Sequence, residues 1–188
     1  MKIGILGGTF NPIHIGHLIL AEEIREKLRL DKIIFVPTYI PPHKRTKDIA
    51  PAADRYAMIK AVIRTNRYFD VSDIEIKRKG PSYTIDTLRE FKRRYPKDDM
   101  YFITGSDLLN YLDEWKDLKQ VISLVKFVVA TRPGYPLEKI PSYIKTVAIR
   151  AVDVSAFEVR HCVKRRTSFR YLVPDAVFNY ITKKRLYR

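Results

Sequence analysis

The sequence predicts an α/β protein in which a mainly parallel sheet carries helices on both faces. Short apolar runs of strand length alternate along the 188 residues with longer segments in which apolar residues have helical spacing. Such alternation is typical of parallel sheets, because the chain crosses over through a helix before it returns as a parallel strand. Glycine or proline residues close most of the apolar runs, as expected where a strand ends in a turn.

The first half of the chain predicts three strands and three helices. Apolar runs predict strands over 2–6, 32–36 and 69–77, and periodic apolar residues predict helices over 16–30, 52–64 and 84–95. Gly7 and Gly8 turn the chain after the first strand, and Pro37 ends the second. Residues 37–51 are polar, basic and rich in proline, which predicts a loop.

The second half predicts three further strands and two helices. The strands cover 100–104, 126–130 and 143–149, and the helices cover 155–164 and 175–183. Gly105 turns the chain after the first of these strands. No repeat or low-complexity linker divides the chain, and about 100–200 residues is the usual size of one domain. We therefore predict a single domain over 1–188, with a C-terminal helical part from about residue 155.

The composition excludes several classes of protein. Hydrophobic residues make up 46% of the chain and aromatic residues 12%, which excludes a disordered chain. Cys162 is the single cysteine, so neither an internal disulfide nor a cysteine-based metal cluster is possible. No apolar run approaches the roughly 18 residues that cross a membrane, and no secretory pattern is visible at the N-terminus. We therefore expect a cytoplasmic protein without a membrane partner.

The charge is strongly basic and unevenly distributed. The chain holds 36 Lys and Arg against 21 Asp and Glu, a formal net charge of +15, and residues 121–188 account for +10 of it. Such an excess suits either nucleic acid or small polyanions that long-range attraction steers to a site. No helix-turn-helix, zinc-finger or ribonucleoprotein motif accompanies the basic residues, so we favour small anions and expect no nucleic-acid partner.

The segment 7–17, Gly-Gly-Thr-Phe-Asn-Pro-Ile-His-Ile-Gly-His, carries the first chemical signal. The glycine pair lets the backbone leave the strand sharply and approach a ligand closely. His14 and His17 are three residues apart at a predicted helix start, so their side chains face the same way, and Gly16 leaves space for a substrate. Imidazoles and backbone amides at a helix N-terminus suit the oxygens of a triphosphate.

Two alternative roles for the histidines of this segment stay open. They could cap the helix in a purely structural role, or they could bind zinc together with His43 and His161, although those two lie at no ligand-like spacing. The segment is neither a dinucleotide-binding G-x-G-x-x-G nor a Walker A loop. We favour phosphate chemistry, and we expect no metal site built from protein side chains.

The segment 155–160 carries a second signal, at the start of another predicted helix. Ser155 and Glu158 have the spacing of a capping box, which a plain helix start explains completely. A plain helix start does not explain why further basic side chains crowd the turns over 161–166. A helix N-terminus together with Arg160 could hold the outer phosphates of a nucleotide.

These segments together resemble a known family. His-Ile-Gly-His at 14–17 resembles the signature of the adenylyl-transferring nucleotidyltransferases and class I aminoacyl-tRNA synthetases, and 7–18 resembles the opening of the bacterial nicotinate-nucleotide adenylyltransferases. Five later segments resemble that family in the same order along nearly the whole chain: 42–44, 80–88, 101–115, 132–134 and 170–174. The anticodon-reading region and lysine-rich second signature of a synthetase are not visible.

The resemblance implies a fold and a reaction. The implied fold is a Rossmann-like, doubly wound sheet, here as a single nucleotidyltransferase domain. The implied reaction transfers the adenylyl group of ATP to nicotinate mononucleotide, giving deamido-NAD and pyrophosphate in NAD biosynthesis, with Mg²⁺ and without a covalent intermediate. The expected partners are ATP and nicotinate mononucleotide, and the chain is expected to be a monomer or a homo-oligomer.

The resemblance also assigns site residues by position. It assigns catalysis to His14, His17, Lys44 and Arg160. It assigns the binding of ATP to Gly7, Gly8, Thr9, Phe10, Gly105, Asp107, Arg132 and Ser155. It assigns the nicotinate ring to Thr84 and Trp115, and cation–π attraction favours the stacking of an indole on a pyridinium ring.

Three positions depart from the family pattern. Phe157 stands where threonine is usual, Asn11 replaces a frequent aspartate, and Arg166 stands where glycine is common. The change at 157 removes a hydroxyl near the phosphates, and the ring of Phe157 could lie against adenine instead.

A different acceptor, such as nicotinamide mononucleotide or phosphopantetheine, stays open, because backbone amides can be the groups that distinguish a carboxylate from an amide.

Overall fold

The structure is a computed structural model that describes residues 1–42, 48–106, 109, 112, 114–131, 140–150 and 152–188. Over these residues the chain forms six strands and seven helices. The strands are β1 (Lys2–Gly8), β2 (Lys32–Pro37), β3 (Phe69–Val71), β4 (Asp99–Gly105), β5 (Lys126–Thr131) and β6 (Ile144–Ala148). The helices are α1 (Ile15–Leu28), α2 (Ala52–Ile63), α3 (Ile74–Arg78), α4 (Thr84–Arg94), α5 (Leu118–Leu124), α6 (Ala156–Arg165) and α7 (Asp175–Lys184).

The six strands form one parallel sheet in the order β3-β2-β1-β4-β5-β6. β2 and β3 extend the sheet to one side of β1, and β4, β5 and β6 extend it to the other. The order therefore reverses between β1 and β4, where Leu6 is aligned with Ile103. This doubly wound, Rossmann-like arrangement confirms the predicted fold class, and ligands of such sheets bind beyond the carboxyl ends of the strands at the reversal.

Successive side chains of each strand enter two different cores. In β4, Tyr101 and Ile103 join a core that α1, α2, α6 and α7 cover, whereas Met100 and Phe102 join a core that α3, α4 and α5 cover. The alternation follows from the pleat of a strand, which sends neighbouring side chains to opposite faces. Both faces of the sheet are consequently buried, and truncation to alanine of a core residue such as Phe91, which is 1% exposed, costs about 3–5 kcal/mol.

Most predicted elements agree with the structure to within two residues, but the predicted strand over 69–77 is confirmed only over 69–71. β3 ends at Val71, and α3 begins at Ile74. The two apolar residues inside α3, Ile74 and Ile76, are two positions apart, so this short helix imitates the alternation of a strand. Ser72 marks the break, because its Oγ accepts a hydrogen bond from the amide of Ile74 at 3.4 Å.

The sequence did not predict α5. Val121 is the one buried residue of this seven-residue helix. Leu118, Val121 and Ile122 nevertheless recur at spacings of three and four residues, which is the pattern of an amphipathic helix, so the signal was present and the prediction missed it. The helix packs against α4 and β5.

The C-terminal helices pack on the first of the two cores, with Val159 of α6 and Val177 and Ile181 of α7 buried in it. The assignment of residues 1–188 to a single domain stays a prediction. Across the described ranges, no helix is both long enough and apolar enough to cross a membrane.

Candidate active site

The reversal of strand order brings glycine residues at two strand ends into the same region. Gly7 and Gly8 end β1, and Gly105 ends the neighbouring strand β4. A Cβ atom at Gly8 would lie 3.0 Å from the ring of Phe10, closer than the ordinary separation of about 3.5–4.0 Å between carbon atoms. The glycine therefore allows the loop that follows β1 to fold back closely over this ring.

Phe10 supports that loop from within the core. Its φ angle of 46° lies in the left-handed region, and its side chain is 2% exposed. The ring packs against His17 at a centroid separation of 5.0 Å and against Phe35 at 5.8 Å. A contact between Phe10 and a nucleotide would consequently come from its backbone, while its ring restrains His17.

The two histidines of the first segment lie together at the start of α1, as their spacing predicts. Their ring centroids are 3.7 Å apart, with an angle of 35° between the planes. The backbone amide of His14 donates a hydrogen bond to Nδ1 of His17 at 3.2 Å. Because Nδ1 of His17 is an acceptor, the neutral imidazole carries its proton on Nε2, which makes Nε2 the donor of this ring.

Two backbone amides at this helix start are already engaged within the protein. The amide of Ile15 donates to the carbonyl oxygen of Leu172 at 3.1 Å, and that of His17 donates to the carbonyl oxygen of His14 at 3.0 Å. The expectation that amides at this helix start hold phosphate therefore does not extend to these two groups. The helix dipole and the imidazoles still favour an anion at this end.

Gly16 makes room for a protein side chain. A Cβ atom at this position would lie 3.1 Å from Nδ1 of His14 and 3.7 Å from the carbonyl oxygen of Val154. The sequence led us to expect that the space beside Gly16 serves a substrate. In the structure, its nearest neighbour is the imidazole of His14, which is buried.

The second segment reaches the first through Arg160. Nη1 of Arg160 donates a hydrogen bond to the carbonyl oxygen of Asn11 at 2.8 Å, although the two residues are 149 positions apart. Ser155 caps α6, because its Oγ accepts a hydrogen bond from the amide of Glu158 at 3.1 Å. The structure therefore places Arg160 beside the loop after β1, as the assignment of both segments to one site requires.

Phe157 presents an exposed ring beside Arg160. The residue is 68% exposed, and its ring stacks on that of His161 at a centroid separation of 5.9 Å. Cζ of Arg160 lies 6.0 Å from the centroid of the Phe157 ring. The position that usually holds threonine in the family thus carries a flat apolar surface, and its contact with adenine stays a prediction.

Asn11, another departure from the family pattern, uses both ends of its side-chain amide. Nδ2 donates a hydrogen bond to the carbonyl oxygen of Asp48 at 2.8 Å, and Oδ1 accepts one from the amide of Ala50 at 2.9 Å. An ionised aspartate at this position could not donate to the carbonyl oxygen. Asn11 therefore fastens the loop after β1 to the segment that precedes α2.

Sequence analysis missed Arg55, which binds the backbone of the same loop. Its side chain is 1% exposed, and its guanidinium donates to the carbonyl oxygen of Thr9 at 2.6 Å. Met58 and Ile59 follow at the helical spacings of three and four residues, and both are fully buried. An arginine on the apolar face of a helix is the signal that could have revealed it.

The two residues assigned to the nicotinate ring lie next to residues that contact each other. Thr84 is the first residue of α4, and Trp115 packs edge-on against Phe102 at a centroid separation of 5.6 Å. Nζ of Lys116 lies 4.8 Å from the ring centroid of Tyr83, the residue before Thr84. Trp115 is half-buried, so part of its indole belongs to the core, and its stacking on nicotinate stays a prediction.

Three assigned residues, Lys44, Asp107 and Arg132, lie outside the described residues, so their roles stay predictions. His43, which we considered as a zinc ligand, lies outside them as well. Within the part of the chain that the structure describes, no group of three His, Cys, Asp or Glu residues could hold a metal ion.

Among the described residues, those that line two surface cavities include none of the residues assigned to the site. One, of about 410 Å³, lies between α6 and α7 around Val163 and Ile181. The other, of about 540 Å³, lies around Phe127 and Tyr143. The assignment of the active site therefore depends on the strand order and on the side chains at the carboxyl edge, which suit anions, rather than on the volume of a pocket.

Comparisons of sequence identify the family. Residues 5–161 match the family described as Cytidylyltransferase-like. A protein of Desulfitobacterium hafniense, named "Probable nicotinate-nucleotide adenylyltransferase", is 42% identical and aligns with 100% of this chain and 96% of its own length. A protein of the same name from Thermus thermophilus is 43% identical over 100% of both chains.

Solved structures share the fold. The nicotinic acid mononucleotide adenylyltransferase of Plasmodium falciparum, complexed with NaAD, aligns at a TM-score of 0.79 and 20% identity over 99% of this chain and 97% of its own. Its complex with APC also aligns at a TM-score of 0.79, with 19% identity over 99% of this chain and 96% of its own. Together with the full-length sequence matches, which carry the assignment, these observations show that the chain belongs to the cytidylyltransferase-like family and, within it, to the nicotinate-nucleotide adenylyltransferases.

Proposed function

We propose that this chain transfers the adenylyl group of ATP to nicotinate mononucleotide, which yields deamido-NAD and pyrophosphate. The observation that carries the proposal is the pair of contacting imidazoles, His14 and His17, beyond the end of β1 where the strand order reverses. Relatives that align with the whole chain bear the name of this activity.

The proposed reaction is a displacement at the α-phosphorus of ATP. An oxygen of the acceptor's phosphate forms a bond to this phosphorus while the bond to the bridging oxygen of the β-phosphate breaks, and pyrophosphate leaves. A phosphate monoester is already ionised at neutral pH, since its second pKa is near 6. The protein therefore needs to position the two substrates and stabilise negative charge rather than supply a strong base.

His17 would stabilise the charge that develops at the α-phosphate. The hydrogen bond from the amide of His14 to Nδ1 keeps the proton of the neutral ring on Nε2, and the ring of Phe10 restrains its orientation. A donor that is already oriented loses little free energy in reorganisation when charge develops. His14 packs against the ring of His17 and would hold it in this position or contact the phosphates itself.

Arg160 and Lys44 would hold the outer phosphates. Arg160 is anchored beside the loop by the carbonyl oxygen of Asn11, and the fork of its guanidinium leaves further N–H groups for phosphate oxygens. Lys44 is included because of its position in the family pattern. Gly7, Gly8 and Gly105 would allow the nucleotide to approach the backbone closely, and Thr9 is included because of its position in the family pattern.

Mg²⁺ fits this site as a companion of ATP. The described donors are imidazole and guanidinium groups, which suit phosphate oxygens, whereas Mg²⁺ takes oxygen ligands that phosphates and water can supply. When bound, the ion would neutralise part of the charge on the departing pyrophosphate. Thr84 and Trp115 would frame the nicotinate ring of the acceptor.

The test is the release of pyrophosphate from ATP, Mg²⁺ and nicotinate mononucleotide. We expect the His17→Ala variant to lose at least about a hundredfold in kcat, the order of magnitude for loss of one charge-stabilising donor. Glu26→Ala is the control, because it removes an exposed side chain from the same helix as His17. Folded wild-type protein that releases no pyrophosphate, or a fully active His17→Ala variant, would contradict the proposal.

A competition between substrates defines the acceptor. Nicotinate mononucleotide and nicotinamide mononucleotide, supplied together at equal concentration, should give deamido-NAD in excess over NAD. The reverse excess would assign the amide as the natural acceptor while leaving adenylyl transfer intact.

A further inference from the structure

The guanidinium of Arg55 is the centre of a buried set of hydrogen bonds next to the candidate active site. It donates to four backbone carbonyl oxygens: Ala50 (2.9 Å from Nε), Thr9 (2.6 Å from Nη1), Thr38 (2.6 Å from Nη2) and Tyr39 (3.3 Å from Nη2). The side chain is 1% exposed. Burial removes much of the hydration of this charge and so lowers the pKa of Arg55 below its ordinary value.

The partners of Arg55 make its burial unusual. Lysine and arginine are almost never fully buried unless they are paired. Among the described residues, no carboxylate forms an ion pair with Arg55, and backbone dipoles take that place. A buried charge costs free energy that an apolar side chain would avoid. The role of Arg55 therefore depends on which segments of the chain its four carbonyl partners belong to.

The four carbonyl groups belong to three segments that meet at the carboxyl edge. Thr9 lies in the loop between the glycine pair and the histidines, Thr38 and Tyr39 follow β2, and Ala50 precedes α2. A planar guanidinium has five donors in a fixed fork, so it can set the relative positions of several acceptors at once. Asn11 adds a second link between the first and third segments through the amide of Ala50.

The segment after β2 continues the connection toward the acceptor side. The amide of Tyr39 donates to Oγ of Ser82 at 2.8 Å, and the amide of Ser82 donates to the carbonyl oxygen of Ile40 at 2.9 Å. Ser82 lies two residues before Thr84, which is assigned to the nicotinate ring. A continuous set of hydrogen bonds therefore joins the loop assigned to ATP with the start of α4.

We infer that Arg55 is a positioning residue for adenylyl transfer: it holds the loop after β1, which carries the histidines, in register with the segment that leads to the acceptor site. This inference rests on the proposed function. We place Arg55 out of contact with substrate, because its side chain is 1% exposed and four of its five N–H groups donate to described backbone carbonyl groups. It acts through the backbone of Thr9, and so on the placement of the α-phosphate relative to the attacking oxygen, where an error of 1 Å costs about a hundredfold in rate.

The test compares Arg55→Lys and Arg55→Met with Phe91→Leu. Lysine keeps a charge and some donors but lacks the planar fork, whereas methionine leaves the carbonyl groups without a donor. Phe91 is 1% exposed and lies in the core on the other face of the sheet, so its variant loses stability without touching the loop. The measurements are circular dichroism, kcat and KM for both substrates, and the Kd of a non-hydrolysable ATP analogue.

For protein that is folded at the assay temperature, we expect Arg55→Lys to lose at least tenfold in kcat/KM for ATP and Arg55→Met to lose more. The Kd of the ATP analogue should rise in the same order, while Phe91→Leu keeps wild-type kinetics. Folded Arg55→Lys with kcat, KM and Kd within twofold of wild type would overturn the inference. Failure of both Arg55 variants to fold would also overturn it, since Arg55 would then serve stability.

The two proposals fail separately. If wild-type protein releases no pyrophosphate, the proposed function is wrong. The Kd of the ATP analogue for the Arg55 variants still decides whether Arg55 positions the nucleotide loop, because this measurement needs no turnover.

Discussion

Substitution of Gly16 by alanine separates the requirements of catalysis from those of folding. The added Cβ would lie 3.1 Å from Nδ1 and 3.2 Å from Cε1 of His14, whereas the ordinary separation is about 3.5 Å or more. The imidazole must therefore retreat by about 0.4 Å. His14 is buried and packs against His17 at 3.7 Å between centroids, so the displacement passes to the second ring.

The substitution should leave stability unchanged or slightly higher but should lower activity. Alanine is more favourable than glycine in a helix by up to about 1 kcal/mol, so the free energy of unfolding should stay constant or rise slightly. Catalytic groups must be held to within about 0.5 Å of their productive positions. A displacement of similar size in both imidazoles should therefore lower kcat/KM by about tenfold, or about 1.4 kcal/mol in the activation free energy.

The assay combines urea unfolding with the rate of pyrophosphate release for wild type, Gly16→Ala and a control. Glu26→Ala is the control, because Glu26 lies on the same helix with its side chain 66% exposed. We expect this control to keep wild-type activity. The reasoning would be refuted by a Gly16→Ala variant whose kcat/KM is within twofold of the wild-type value, since the imidazoles would then tolerate the displacement.

Two further predictions concern the ion pair at Glu23 and the acceptor side. Arg150, which donates hydrogen bonds to Glu23, is the main cause that lowers the pKa of this carboxyl from 4.5 to about 2. The stabilisation from this pair should be present above pH 4.5 and lost as the pH falls toward 2. In urea unfolding, Glu23→Gln should therefore lower the free energy of unfolding by about 1 kcal/mol at pH 7 and by almost nothing near pH 2. The value at pH 7 is small because the side chain of Arg150 is 85% exposed. Trp115→Leu should raise KM for nicotinate mononucleotide about tenfold with KM for ATP unchanged, and steady-state kinetics in which both KM values rise equally would reject the stacking of nicotinate on Trp115.

The basic surface of the chain raises a separate question about partners. The excess of positive charge favours the approach of ATP and a phosphorylated acceptor, because both are anions. The same excess could attract nucleic acid nonspecifically, and such binding would weaken steeply with salt. The expected absence of a nucleic-acid partner stays a prediction, as do the oligomeric state and the cytoplasmic location.

Local sequence patterns determined most of the elements and one half of the candidate site. The helices α1, α2, α4, α6 and α7 were predictable because apolar residues recur at their period within each segment. The proximity of His14 and His17 was predictable for the same reason, since three residues of helix bring two side chains to one face. Where the pattern was ambiguous, as between Val71 and Ile74, the prediction failed.

Contacts between distant segments could be decided only by the tertiary structure. Arg160 reaches Asn11 across 149 positions, and Arg55 reaches Thr9 across 46. Neither pairing leaves a periodic signal, because hydrogen bonds to backbone carbonyl groups do not depend on the identity of the residue that accepts them. The sequence alone thus determined the fold class and the pair of imidazoles. The packing of strands in the order β3-β2-β1-β4-β5-β6 decided which loops meet at the carboxyl edge and which buried arginine holds them there.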